Sequence, residues 1–215
     1  YAATFKTKCE KPSQMGATRL KGFLICIEGI DGSGEGTNAN LLLGKLLKEG
    51  YDAVPISFPD YATPIGMEIR KFLDGKRDFR PEIRQFLYVA NRWERKNEIE
   101  KWLKEGKAVV ANRYTPSGLA YGLANKLDLD WMLSLERGLP EADLVIVIDV
   151  SVKTHFKRTI GSDVYERDKA FLERVRSSYL TLAKKFRWHV IGGERTVSEV
   201  AQDVWRVVLK NLSPK

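Results

Sequence analysis

At 215 residues the chain is the size of one ordinary domain, and 43% apolar with 10% aromatic residues is enough to build a buried core, which excludes a disordered polymer. No apolar run approaches the roughly 20 residues that a membrane-spanning helix needs. Thirty-six basic against 28 acidic residues leave a net charge of +8, carried by scattered pairs such as Lys157-Arg158 and Lys184-Lys185, so no polybasic arm for nucleic acid is present and the excess reads as a solvated surface or an anion-holding site.

Residues 1–21 set Lys6, Lys8, Lys11, Arg19 and Lys21 against Glu10 and show no apolar periodicity, which predicts a flexible leader followed by a single domain over 22–212. Cys9 and Cys26 suffice for neither a disulfide framework nor a four-ligand zinc site, so a reducing compartment is expected. That is the cytoplasm, or a mitochondrial or other organellar matrix if the leader is a trimmed transit segment. Strand-like runs at 23–28, 53–58, 108–112, 144–149 and 188–191 alternate with helix-length segments, the pattern of a parallel sheet wrapped by helices in an α/β fold. Core stripes are expected at Leu42, Leu46 and Leu47, at Phe171, Val175, Tyr179, Leu182 and Phe186, and at Val197, Val200, Val204 and Val208.

The segment Gly29-Ile30-Asp31-Gly32-Ser33-Gly34-Glu35-Gly36-Thr37 follows the first strand and opens a leucine-rich helix. Glycines there let backbone N–H groups close around phosphate oxygens, and the helix N-terminus adds a favourable dipole. The pattern G-x-x-x-x-G-K-[ST] calls for Lys and then a hydroxyl after the last glycine, whereas Glu35 and Gly36 stand there and Thr37 offers the nearest hydroxyl. Unless Glu35 turns away, its charge opposes a polyphosphate, since a unit pair at 4 Å is worth ~4 kcal/mol at an effective dielectric of 20. Farther on, Tyr88, Asn91 and Arg92 fall about one helical turn apart, with Phe86, Leu87, Ala90 and Trp93 read as the core side. Arg113 ends the third strand, where open α/β sheets place ligands. The lesser alternatives are a turn residue for Asp31 and a surface ion pair with Glu94 or Glu98 for Arg92. His155 and His189 have no partners at ligand spacing.

Six blocks in order resemble the thymidylate kinases, which phosphorylate dTMP with ATP and Mg²⁺: Glu28 to Gly34; Phe58-Pro59-Asp60 with Thr63-Pro64-Ile65-Gly66; Ala90-Asn91-Arg92-Trp93-Glu94; Asn112-Arg113-Tyr114-Thr115-Pro116-Ser117-Gly118; Gly138-Leu139-Pro140 running into Glu141-Ala142-Asp143-Leu144; and Asp163-Val164-Tyr165-Glu166. The resemblance implies the P-loop nucleoside-monophosphate kinase fold with a short lid near 155–169. It implies that Gly29, Asp31, Gly32, Ser33, Gly34, Glu35, Gly36 and Thr37 meet ATP, and that Asp31, Tyr88, Asn91, Arg92, Arg113, Ser117 and Tyr121 meet dTMP. Tyr88 would stack on the base, Arg92 would donate to a base carbonyl, and Asp31 would lie near the sugar. Arg113 with lid arginines Arg158 and Arg167 would be catalytic, and Thr37 and Asn112, the latter in place of Asp, would serve Mg²⁺. No Arg occupies 58–61, where the family places one on the acceptor phosphate, so Arg70 becomes a stand-in. A homodimer through 64–73 and 84–103, anchored by Trp93 or Phe72, is also implied. The alternative is a catalytically impaired relative serving as a structural or nucleotide-sensing subunit of an assembly, since Glu35, Gly36 and Asn112 cluster on the donor side.

Overall fold

The computed structural model of the protein describes residues 22–158, 164–165 and 168–212; the leader, most of the expected lid and Arg167 lie outside the described residues. Five parallel strands, β1 (Phe23–Glu28), β2 (Ala53–Ser57), β3 (Ala108–Asn112), β4 (Leu144–Asp149) and β5 (His189–Gly192), lie in the order β2-β3-β1-β4-β5. The chain goes from β1 out to the edge strand β2, returns to β3 between the two, and then crosses to β4 on the other side of β1. That reversal opens a crevice at the carboxyl end of β1, the usual ligand position in open α/β sheets.

β1 is apolar along nearly its whole length because both its faces are covered. Leu24 and Cys26 enter one core layer and Ile25 and Ile27 the other. The first layer packs under α2 (Pro64–Leu73), α5 (Thr115–Ala124) and α8 (Lys169–Phe186); the second packs under α1 (Glu35–Lys48) and α9 (Val197–Leu212). The remaining helices are α3 (Pro81–Glu94), α4 (Lys96–Lys104), α6 (Leu129–Glu136) and α7 (Val152–Arg158). Side-chain caps fix several helix starts: Thr63 accepts from the Gly66 amide with Pro64 in the first turn, Asp128 accepts from Trp131, and Asp168 accepts from Phe171. No helix among the described residues is long and apolar enough to cross a membrane.

The expected strands are present within a residue or two: β2 stops at Ser57, and β5 runs one position later than 188–191. Three stripe residues leave the core. Leu47 is exposed because it lies a third of a turn round from Leu46, and Val197 and Phe186 sit on terminal turns where the helices leave the sheet. The reading of α3 needs a larger correction. Phe86 and Trp93 are exposed, and the buried face carries Gln85, Val89, Asn91 and Arg92, because this helix turns polar groups inward to bind other parts of the fold. Phe72 is buried beneath α2, so it cannot anchor a partner.

Gly66 shows how tightly the loop after β2 is built. A Cβ there would lie 1.7 Å from the carbonyl oxygen of Asp60, backbone that cannot rotate away. Gly66→Ala is therefore expected to cost about 1–3 kcal/mol of stability in urea denaturation, at the overpacking end of core substitutions.

Candidate active site

The glycine loop sits between β1 and α1, with Gly32 (φ 71) and Gly34 (φ 93) in left-handed backbone that a larger residue would strain. It is held from behind. The Nδ1–H of buried His155 reaches the Asp31 carbonyl oxygen at 2.6 Å. Arg158, on the same helix, donates to the Gly193 carbonyl at 2.9 Å and lies 3.4 Å from that of Gly32.

Opposite the loop, the backbone of Arg113 is tied to β1 by its N–H to the Ile27 carbonyl (3.0 Å), in left-handed conformation at φ 63. Its guanidinium donates to the Gly29 carbonyl, to Asp31 Oδ1 and to Glu35 Oε1, each at 2.8 Å. Tyr121 donates to the other Asp31 oxygen at 2.8 Å, and Ser33 Oγ to the other Glu35 oxygen at 2.8 Å. Burial opposes the Arg113 charge, but Asp31 and Glu35 outweigh it and hold the group firmly protonated.

Beneath Arg113 lies Glu28, fully buried at the end of β1. It accepts from the Tyr114 amide (2.8 Å), from Ser117 Oγ (2.6 Å) and from Tyr179 (3.0 Å). Burial pushes its carboxyl up to about 7, against the lowering effects of those donors and of Arg113.

A cavity of about 330 Å³ has Asp31, Arg84, Tyr88, Arg92, Arg113, Asn125 and Tyr165 among its lining residues. Arg92 is not a surface residue. Its guanidinium is gripped by Glu136 from both Nε and Nη2, a buried pair that fixes the side chain in the wall. These features, a phosphate loop with a carboxylate and an arginine across from it and an aromatic and an arginine deeper in the same cavity, are those of a nucleotide-binding cleft.

The sequence model of the thymidylate kinase family matches residues 27–204. This chain belongs to the thymidylate kinase family. It is 34% identical to the thymidylate kinase of Arabidopsis thaliana, with 90% of this chain and 73% of that one covered. It is 31% identical to the thymidylate kinase of Homo sapiens, with 86% and 88% covered. Among solved structures it is similar to the thymidylate kinase of Candida albicans, at a TM-score of 0.80 and 28% identity, with 90% and 94% covered.

As a thymidylate kinase family member, the chain brings Asp31, Tyr88, Arg92, Arg113, Ser117 and Tyr121 into one cavity. Asn91 is directed elsewhere: its amide binds the Asp60 backbone, Thr63 and Glu94, so it staples the loop after β2 to α3. Arg70 is not itself among the residues lining the cavity; it pairs with Asp74 at 2.8 Å, and its guanidinium lies 5.6 Å from the ring of Tyr61, which does line it. Thr37 is exposed, and the side chain beside Gly36 is Asn112, whose buried Oδ1 has no hydrogen-bond partner among the described residues. Glu35 faces neither solvent nor empty space, because Arg113 and Ser33 hold both its oxygens.

Sequence reading gave no role to Glu28, Arg84, Gln85, Tyr165 or Glu136. A glutamate ending an otherwise apolar strand was the available sign for Glu28, since an acid is buried only where partners hold it. Arg84, Tyr88 and Arg92 are spaced i, i+4, i+8 along α3, and all three line the cavity.

Glu28 makes stability pH-dependent. Its carboxyl rises from its usual 4.5 to about 7 on folding, so the folded state holds an extra proton between those values. The stabilisation is complete below pH 4.5 and is lost as pH climbs through 7, a difference on the order of 3 kcal/mol. Urea denaturation at pH 5 and pH 8 should show Glu28→Gln losing most of the decline between the two that the parent protein displays.

Proposed function

We propose that the protein transfers the γ-phosphate of ATP to dTMP, giving dTDP and ADP. The observation that carries this reading is the single cavity joining the phosphate loop, through Asp31 and Arg113, to Tyr88 and Arg92. In this reading the acceptor phosphate sits on Arg113, whose planar fork suits two phosphate oxygens. The deoxyribose lies by Asp31 and Tyr121, where a carboxylate can accept from a 3′-hydroxyl, and the base stacks on Tyr88 beside Arg92. Because phosphoryl transfer is catalysed by positioning and charge stabilisation, no covalent intermediate on the protein is needed. Arg158, already lying against the loop, supplies further positive charge to the transferring group, as would Arg167, which is outside the described residues.

Magnesium fits this site in part. The orphaned Asn112 Oδ1 is a hard oxygen acceptor suited to a metal-bound water, and Thr37 is the nearest hydroxyl on α1. Bound with the nucleotide, the ion neutralises charge on the phosphates. The comparisons give no support to the alternative of a non-catalytic subunit.

Glu35 sets the rate. In the free protein its carboxylate holds Arg113, so phosphate must compete with it for that guanidinium. A coupled assay with dTMP, ATP and Mg²⁺ tests both points. The parent protein should turn over dTMP, and Glu35→Gln should raise kcat/KM by roughly 10-fold, the equivalent of ~1.4 kcal/mol. No turnover in either protein would defeat the kinase reading, and an unchanged or lower rate in Glu35→Gln alone would defeat the role given to Glu35.

A homodimer completes the proposal. Met67 on α2 and Ile83, Phe86 and Trp93 on α3 expose an apolar stripe suited to a second copy of the chain. Light scattering should give twice the 24.5 kDa chain mass, falling to one chain in Trp93→Glu.

A further inference from the structure

Three arginines line the cavity, and they differ in what holds them. Arg113 binds two carboxylates and Arg92 binds one. Arg84 has no carboxylate partner among the described residues. Its Nη1 donates to the Tyr165 hydroxyl at 3.0 Å and its Nη2 to Asn125 Oδ1 at 3.2 Å, both neutral acceptors, and its charge lies over the rings of Phe72 and Tyr165. Its Nε is buried with no acceptor among the described residues. The next residue, Gln85, also lines the cavity and is buried, and its Nε2 too has no acceptor among the described residues. Two neighbouring cavity-lining residues thus bring a guanidinium without a carboxylate partner and two buried donors without acceptors among the described residues. Buried donors left in this condition cost free energy that an acceptor recovers when it arrives.

Along α3, Tyr88 lies one turn from Arg84 on one side and one turn from Arg92 on the other. A ring stacked on Tyr88 is therefore flanked by donors on both sides. We propose that Arg84 and Gln85 are specificity-determining residues that select, through hydrogen bonds to carbonyl oxygens, an acceptor nucleotide whose base is a pyrimidine dione. An aminopyrimidine replaces one carbonyl with an amine, which offers a donor to a wall that already has too many. The resulting loss should be large, because a site built to bond one group rejects an analogue that leaves its buried polar atoms without partners. This inference rests on the reading of the site as a dTMP site.

Calorimetric titration of the full chain with dTMP and with dCMP tests it without relying on turnover. The parent protein should bind dTMP at least 10-fold more tightly than dCMP, and Arg84→Gln and Gln85→Leu should each shrink that ratio several-fold through weaker dTMP binding. Gln85→Leu leaves all charges in place, so it serves if Arg84→Gln does not fold. Tyr165→Phe is the control for a purely structural tie between Arg84 and Tyr165. If it reduces the ratio as far as Arg84→Gln does, and the two together do no more, Arg84 only holds Tyr165 and the inference fails. A ratio unchanged in both Arg84→Gln and Gln85→Leu also overturns it, while the site reading survives. Absence of dTMP binding to the parent protein at millimolar concentration overturns the site reading itself and this inference with it.

Discussion

The guanidinium of Arg113 joins the two strands on which the site is built. Its backbone leaves β3 in the left-handed region, a conformation that costs a non-glycine residue about 1–3 kcal/mol and survives only where surroundings dictate it. They do so here from several directions. The Arg113 amide is fixed to β1, the side chain crosses to the Gly29 carbonyl, and Asp31 and Glu35 close on it from the loop. Underneath, Glu28 takes hydrogen bonds from the next residue's amide and from Ser117 one turn along α5. The glycine loop and the arginine that faces it are thus parts of one polar network, and a change at Glu28, Asp31 or Glu35 is felt at Arg113.

Legibility in the sequence followed burial. β1, β3 and β4 are apolar on both faces and stand out from the chain, whereas β5 begins with an exposed His189 and Val190, and its limits were correspondingly displaced by one residue. The glycine loop was visible because its geometry requires glycines in sequence. α3 misled because hydrophobic periodicity assumes that apolar residues face inward. Here the inward face must hold Arg92 for Glu136 and Asn91 for the loop after β2, which leaves Phe86 and Trp93 outside, the former edge-on to Trp131. Long-range pairing was invisible for another reason. Nothing local marks Glu136 as the partner of Arg92, 44 positions away, or Arg113 as the partner of Glu35, 78 positions away. The surroundings of Arg70 were illegible in the same way, since its charge shows in the sequence but its pairing with Asp74 and Tyr61 does not.

The pairing of Glu35 with Arg113 also explains how this thymidylate kinase family member carries an acid where its loop motif calls for a lysine. In the free protein the acid is doubly favourable: it lies in the first turn of α1, where the helix dipole favours negative charge, and it balances a buried guanidinium. The difficulty arises only when a phosphate arrives. A pair of unit charges at 4 Å is worth ~4 kcal/mol at an effective dielectric of 20, so a phosphate that displaces Glu35 from Arg113 exchanges one attraction for another of similar size. The net effect on binding is then much smaller than a bare count of charges suggests. What remains is the carboxylate itself, released beside the phosphates and without a lysine to offset it. Ser33 still holds one of its oxygens, and α1 still favours a negative group at its start, so these two contacts decide how far Glu35 withdraws as the nucleotide binds.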